Sequence, residues 1–194
     1  MTARLKKEDI LQGLKLLDRK ARAVGAVVDI SIYGGAALIL AFDLSRSTRD
    51  VDVVVKGDVT LIRKLAEEVA EENDWPESWL NDGVKGFVSA TEDMQLFSDF
   101  DAEKEGGVRL YTPSAEYLFA MKCLAMRPEA ESGSHDIKDI EFLAKATGIR
   151  DTEAALRIVQ SFYPTERIPA KVAFGVQEIM ERIASNSRGN ERPN

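Results

Sequence analysis

Leu5, Ile10, Leu11, Leu14, Leu16 and Leu17 recur at roughly helical spacing, with Lys and Asp between them. This pattern predicts an amphipathic first helix that ends near Gly25. Residues 27–33 are apolar and β-branched and predict a strand, which Gly34-Gly35 breaks. A short helix over 36–42 follows, then a polar loop over 45–49. Val51, Val53, Val54 and Val55 predict a second strand with Asp50 and Asp52 set into it. A Lys-Gly-Asp turn leads into a charged amphipathic helix over 59–72.

The middle of the chain is less regular. Residues 75–86 carry Pro76, Gly83 and Gly86 and predict irregular structure; 87–90, 94–100 and 108–111 predict strands. Thr112-Pro113 suits a helix start, with Thr as N-cap and Pro at the first helical position. Apolar helix 114–126 follows, then a loop at 132–134 that can cap a helix over 136–147. Two more helices are expected near 152–161 and 169–183, and a polar tail from 185 that composition predicts to be disordered. The fold class is therefore α/β (α+β): a mixed sheet flanked by helices, with a helical C-terminal half. The expected division is a core over 1–112, a helical region packed on it over 113–185, and a tail over 186–194.

Composition narrows the chemistry. A chain of 194 residues, 44% hydrophobic, can bury one substantial core. It has no apolar run of membrane-spanning length and no signal core behind its basic first residues, so a cytoplasmic protein is expected. One cysteine, Cys123, excludes an internal disulfide framework and reads as a buried, inert thiol. One histidine, His135, excludes a multi-histidine metal site, so any metal must be held by oxygen ligands, as Mg²⁺ or Mn²⁺ is. The net charge of −7 argues against a surface that coats nucleic acid by charge alone, and leaves a local basic patch at Arg46 and Arg49.

Two strand residues two apart project to one face, which places the Asp50 and Asp52 Cα atoms about 6–7 Å apart. Valines surround them. Two carboxylates in such a place repel one another and stay ionised when a cation or several donors lie between them. A divalent ion is the economical answer, and it would neutralise phosphate charge as an attacking hydroxyl displaces pyrophosphate. Gly34-Gly35 allows backbone N–H groups to approach a phosphate, and Arg46 and Thr48 can donate to it. An Asp at a strand end or a Gly-Gly turn is common by itself. The ordered set is far more specific: strand, Gly-Gly, short helix, Arg-x-Thr loop, then Asp-x-Asp in a valine strand.

This segment resembles the signature of the DNA polymerase β-type nucleotidyltransferase superfamily. The form Gly-Gly-x-Ala followed by Arg-x-Thr-x-Asp-x-Asp is similar to the AbiEii-type toxin nucleotidyltransferases and their bacterial relatives. A second block, Lys122 on an apolar helix, Arg127, then His135-Asp136-x-x-Asp139, resembles that family's later motifs. The two blocks span 32–143, and the last helices match nothing recognisable. The resemblance implies a nucleotidyltransferase-type mixed sheet, Mg²⁺ (or Mn²⁺) on Asp50 and Asp52, and a nucleoside triphosphate on Gly34, Gly35, Arg46, Thr48 and Lys122. It implies Asp136 as a further essential acid. It also implies RNA (tRNA in the toxin relatives), protein or small-molecule acceptors, and a cognate antitoxin as partner. Read from the residues alone, Lys122 either snorkels to the surface or answers a buried anion. Asp136 can equally serve a helix dipole, and Asp139 suits a structural partnership with Arg127 or Lys122.

The sequence departs from the superfamily in lacking a clear third carboxylate. Asp99 and Asp101 share strand parity and are candidates, although their surroundings also read as a solvated hairpin. Trp79, beside Asn81 and Asp82, would stack on a nucleotide base or anchor its loop as a buried ring. The competing function is a catalytically inactive nucleotide-binding or protein-interaction module on the same fold. Kinase-type transfer is disfavoured because no Gly-x-x-x-x-Gly-Lys loop is present.

Overall fold

The computed structural model describes residues 4–100, 105–127 and 135–189. The chain divides into two compact units, Met1–Gly86 with Met94–Pro113, and Phe87–Asp93 with Ser114–Asn194. Its order is that of a mixed α/β chain, and among the described residues only helices follow residue 113. No helix among the described residues is long and apolar enough to cross a membrane.

The first unit holds helix α1 (Lys7–Ala23), strand β1 (Val27–Ile32), helix α2 (Gly34–Ala41), strand β2 (Val51–Lys56) and helix α3 (Val59–Asn73). Strands β3 (Leu80–Asn81), β4 (Met94–Asp99) and β5 (Gly107–Pro113) complete a sheet of order β3-β2-β1-β5-β4. β1 runs antiparallel to β2 and parallel to β5; β3 is parallel to β2, and β4 antiparallel to β5. Ile10, Leu14 and Leu17 of α1 are buried, as are Ile62, Leu65 and Val69 of α3 and Val28, Ile30 and Ile32 of β1. These periods of 3.6 and 2 define the core of this unit. α3 starts where the Asp58 carboxylate accepts from the Leu61 N–H at 2.9 Å.

In the second unit helix α4 (Ala115–Ala125) packs against α5 (Asp136–Ala146), α6 (Thr152–Phe162) and α7 (Ala170–Gly189). From Tyr117 to Leu124 every residue of α4 but Lys122 is buried, which accounts for the apolar character of this stretch. Cys123 lies in it, buried, and burial pushes its thiol pKa up, so it is an inert core thiol.

Several boundaries differ from the sequence expectation. Thr112-Pro113 ends β5, and Ser114 caps α4 instead, its hydroxyl accepting from the Tyr117 N–H. Residues 87–90 form no strand: the Ser89 N–H is taken by the Tyr117 hydroxyl at 2.9 Å, so this backbone is served by a helix side chain. α7 continues past 183 to Gly189, where the Ser185 hydroxyl donates to the Glu181 carbonyl and so satisfies itself within the helix. The loop at 132–134 lies outside the described residues. Trp79 is a fully buried anchor, its indole N–H donating to the Ala66 carbonyl at 2.9 Å, and so is no lid over a base.

Asp18 ties α1 to the start of β5. Its carboxylate is buried and accepts from the Val108 N–H at 2.8 Å and from Arg22 Nε at 3.0 Å. Replacing it leaves a part-buried guanidinium and a buried backbone N–H without this acceptor. Asp18→Ala is therefore expected to lower unfolding free energy by about 3 kcal/mol in a urea titration. A loss below about 1 kcal/mol would remove Asp18 from this role.

Candidate functional site

The corner between β1, α2 and β2 gathers most of the residues singled out in the sequence. Tyr33 leaves β1 in extended conformation, and its N–H donates to the Asp52 carbonyl at 2.8 Å. Gly34 then turns the chain at φ +62° to start α2. A Cβ at Gly34 would stand 2.5 Å from Asp52 Oδ2, so the carboxylate rests directly on the bend. A Cβ at Gly35 would meet Thr48 Oγ1 at 3.1 Å and Arg46 Nη2 at 3.5 Å. Asp52, Thr48 and Arg46 thus all lie against the two glycines that open α2.

The loop that carries Arg46 and Thr48 is fixed from outside the corner. Leu5 and Thr48 exchange both backbone hydrogen bonds, at 2.8 and 2.9 Å. Leu5 is itself buried.

Asp50 precedes β2 rather than lying in it. Burial pushes its carboxyl above the usual carboxylate range, against the pull of neighbouring Arg49 and a hydrogen bond from Asn81. The Asn81 Oδ1 accepts from the Gly83 N–H at 2.9 Å, which turns its NH₂ toward the acid. Asn81 is also the register partner of Asp52 across β2 and β3. It therefore references both acids to one edge residue. Sequence reasoning passed over Asn81 because it placed this segment in a loop; a two-residue strand gives no periodic signal.

Among the described residues, no cluster of three or more His, Cys, Asp or Glu could hold a metal. A Mg²⁺ that arrives with a triphosphate asks for less: one or two carboxylates, with phosphate oxygens and water filling the rest. Asp52, an oxygen donor against the diglycine bend, and Asp50, two positions before it and bonded by Asn81, supply that number of carboxylates.

Asp99 is not brought to this corner. It is in register with Arg109, which is in register with Asp29, and Arg109 Nε donates to Asp29 at 2.6 Å. Tyr33 is four steps along the chain from Asp29, about 13 Å at the strand rise. Asp99 lies in that distant row, with Arg22 Nη2 at 3.7 Å. Asp101 falls outside the described residues.

Lys122 and Asp136 belong to the second unit. Lys122 Nζ lies 2.9 Å from Asp139 Oδ2 and 3.2 Å from Asp136 Oδ1, with the lysine side chain only 14% exposed. Arg127 Nε adds a bond to Asp136 Oδ2 at 3.1 Å. Of the two readings of Lys122, the geometry gives the answer to a buried anion: two carboxylates of α5 pin it from one face. The cluster balances two positive and two negative charges and ties α4 to α5. Lys122→Met would take the shared lysine from Asp136 and Asp139, while Arg127 stays on Asp136. It is expected to cost about 3–5 kcal/mol of unfolding free energy in denaturant titration; wild-type stability in this variant would show that the cluster is not structural.

Among curated proteins and among solved structures nothing matches the chain. A family model does match, over residues 8–146, a span that takes in the diglycine corner, Asp50, Asp52, Asn81, Lys122 and Asp136. The chain belongs to the family described as nucleotidyltransferase of unknown function, DUF6036.

Proposed function

We infer that this chain transfers a nucleotidyl group from a nucleoside triphosphate to an acceptor hydroxyl, with Mg²⁺ (or Mn²⁺), at the β1–α2–β2 corner. One observation carries this: the Asp52 carboxylate rests against Gly34 while Arg46 and Thr48 converge on Gly35. Anion donors and a metal-binding acid then meet within one turn of backbone, which is what a triphosphate with its metal requires.

In this reading Asp50 and Asp52 hold the metal, which when bound would neutralise phosphate charge. Arg46, Thr48 and the first N–H groups of α2 grip the phosphates. Asn81 orients Asp50 through its amide. The acceptor oxygen bonds the α-phosphorus, the α–β phosphoanhydride bond breaks, pyrophosphate leaves, and the hydroxyl proton passes to a carboxylate of the pair or to water. Lys122 and Asp136 keep the role their geometry gives, holding α4 to α5. The acceptor class is RNA, including tRNA, protein or a small molecule. Action as a toxin restrained by an antitoxin rests on sequence resemblance to the AbiEii-type enzymes alone.

A second reading has its own support. Asp99 lies far along the sheet from Asp52, which favours a module that binds nucleotide without transferring it. Label transfer separates the two. With α-labelled ribonucleoside triphosphates, Mg²⁺ and total RNA, protein or metabolite extract, wild type should transfer label and Asp52→Asn should transfer at least about 100-fold less. Triphosphate binding with no transfer to any extract would leave the binding module; equal transfer by wild type and Asp52→Asn would remove Asp52 from the site.

Asp50 sets the pH dependence. Its folded-state pKa is raised, so protons compete with the metal, and Mg²⁺ affinity should fall as pH falls through that raised value. The same shift costs stability when Asp50 ionises. Asp50→Asn should therefore be more stable than wild type near neutral pH, and the difference should vanish on acidification. Denaturant midpoints of the two proteins across the acidic range check the sign; a wild type that gains on Asp50→Asn as pH rises would overturn it.

A further inference from the structure

Next to Arg46, on the first unit, lies an open cleft of about 540 Å³. Lys6, Lys7, Ser45, Arg46 and Ser47 line it, together with Leu44 and the two acids Glu8 and Asp43. Of this lining the reading above uses Arg46 alone. Its ionisable lining sums to +1, three cations against two carboxylates, in a chain whose net charge is −7. One acid is already engaged, since Lys7 Nζ holds Asp43 at 2.7 Å and lowers its carboxyl pKa. The paired backbone bonds between Leu5 and Thr48 fix where Lys6 and Lys7 stand: beside the Arg46–Thr48 loop.

Arg46 belongs to both places. It lines the cleft, and its Nη2 lies 3.5 Å from the Cβ position of Gly35. Asp52 stands at Gly34, Thr48 and Arg46 stand at Gly35, and Arg46 joins that bend to the lysine cleft. A triphosphate laid from the bend into the cleft puts its α-phosphate at the acids and its terminal phosphates, which carry most of its charge, at the cations. The cleft opens to solvent, as an exit for a leaving group must.

We propose that this cleft binds the terminal phosphates of the triphosphate and the pyrophosphate that leaves, with Lys6 and Lys7 as phosphate-binding residues. The proposal rests on the nucleotidyl-transfer reading of the adjoining corner. It adds a polyphosphate subsite built from the start of α1, a segment no motif singled out.

The test is calorimetric titration of the full chain, in Mg²⁺, with inorganic pyrophosphate, each ribonucleoside triphosphate and each monophosphate. Two variants are compared with wild type: Lys6→Gln/Lys7→Gln, which removes the cations, and Ser45→Glu, which keeps them and the Lys7–Asp43 pair but adds a repelling charge. Both should weaken pyrophosphate and triphosphate at least about tenfold, the worth of one charged hydrogen bond, and leave monophosphate affinity unchanged. Unchanged pyrophosphate affinity in both variants, with wild type binding pyrophosphate and triphosphate, overturns the subsite and leaves the corner's function standing. A wild type that binds neither ligand sinks the nucleotidyl-transfer reading first. Loss of affinity for a short single-stranded oligoribonucleotide, with pyrophosphate binding retained, would assign the cleft to an acceptor backbone and also overturn the proposal.

Discussion

The contact between the Asp52 carboxylate and the backbone at Gly34 governs the rest of the candidate site. An oxygen 2.5 Å from where a Cβ would stand means that a side chain there would displace the Asp52 carboxylate, and φ of +62° at the same residue disfavours an L-residue that has one. Glycine is thus favoured twice at one position, by the place of the acid and by backbone geometry. Because the Tyr33 N–H also bonds the Asp52 carbonyl, the strand that carries the acid and the strand that leads to the bend are locked together. The helix start, the acid and the Arg46–Thr48 loop then have fixed relative positions before any ligand arrives, the condition under which charged groups bind phosphate without reorganising.

The sheet register decides what joins that corner. Parallel pairing of β1 with β5 and antiparallel pairing of β5 with β4 carry Asp99 to the row of Asp29 and Arg109, remote from Asp52. Parallel pairing of β2 with β3 brings Asn81 beside both acids. An amide, rather than a third carboxylate, is the polar group the described part of the sheet supplies to the pair. It suits Asp50, whose burial already opposes ionisation: a donor favours the charged form, where another acid would disfavour it further.

The second unit shows how a buried charge is tolerated when it is answered. Lys122 is the one cation on α4, in an apolar stretch, and Asp136 and Asp139, one turn apart on α5, meet it together. Such a cluster costs desolvation and repays it in the specificity of which helix faces pair, since slipping either helix would strand a charge.

The sequence by itself determined the elements with strong period or unmistakable punctuation: the amphipathic α1 and α3, the valine strand β2, the diglycine break, and the apolar α4. These depend on local sterics and on one buried face, both written in consecutive residues. It also picked out Asp50, Asp52, Gly34, Gly35, Arg46 and Thr48 as one set, because a short chain segment carries them all. What the tertiary structure alone decided was pairing. That Asn81 serves Asp50, that Asp99 stands away, that Lys122 is answered by α5, that Trp79 is core and that Ser89 is served by Tyr117 all depend on residues far apart in the chain. Their meeting is fixed by strand register and helix packing, and neither leaves a periodic trace in the residues that take part.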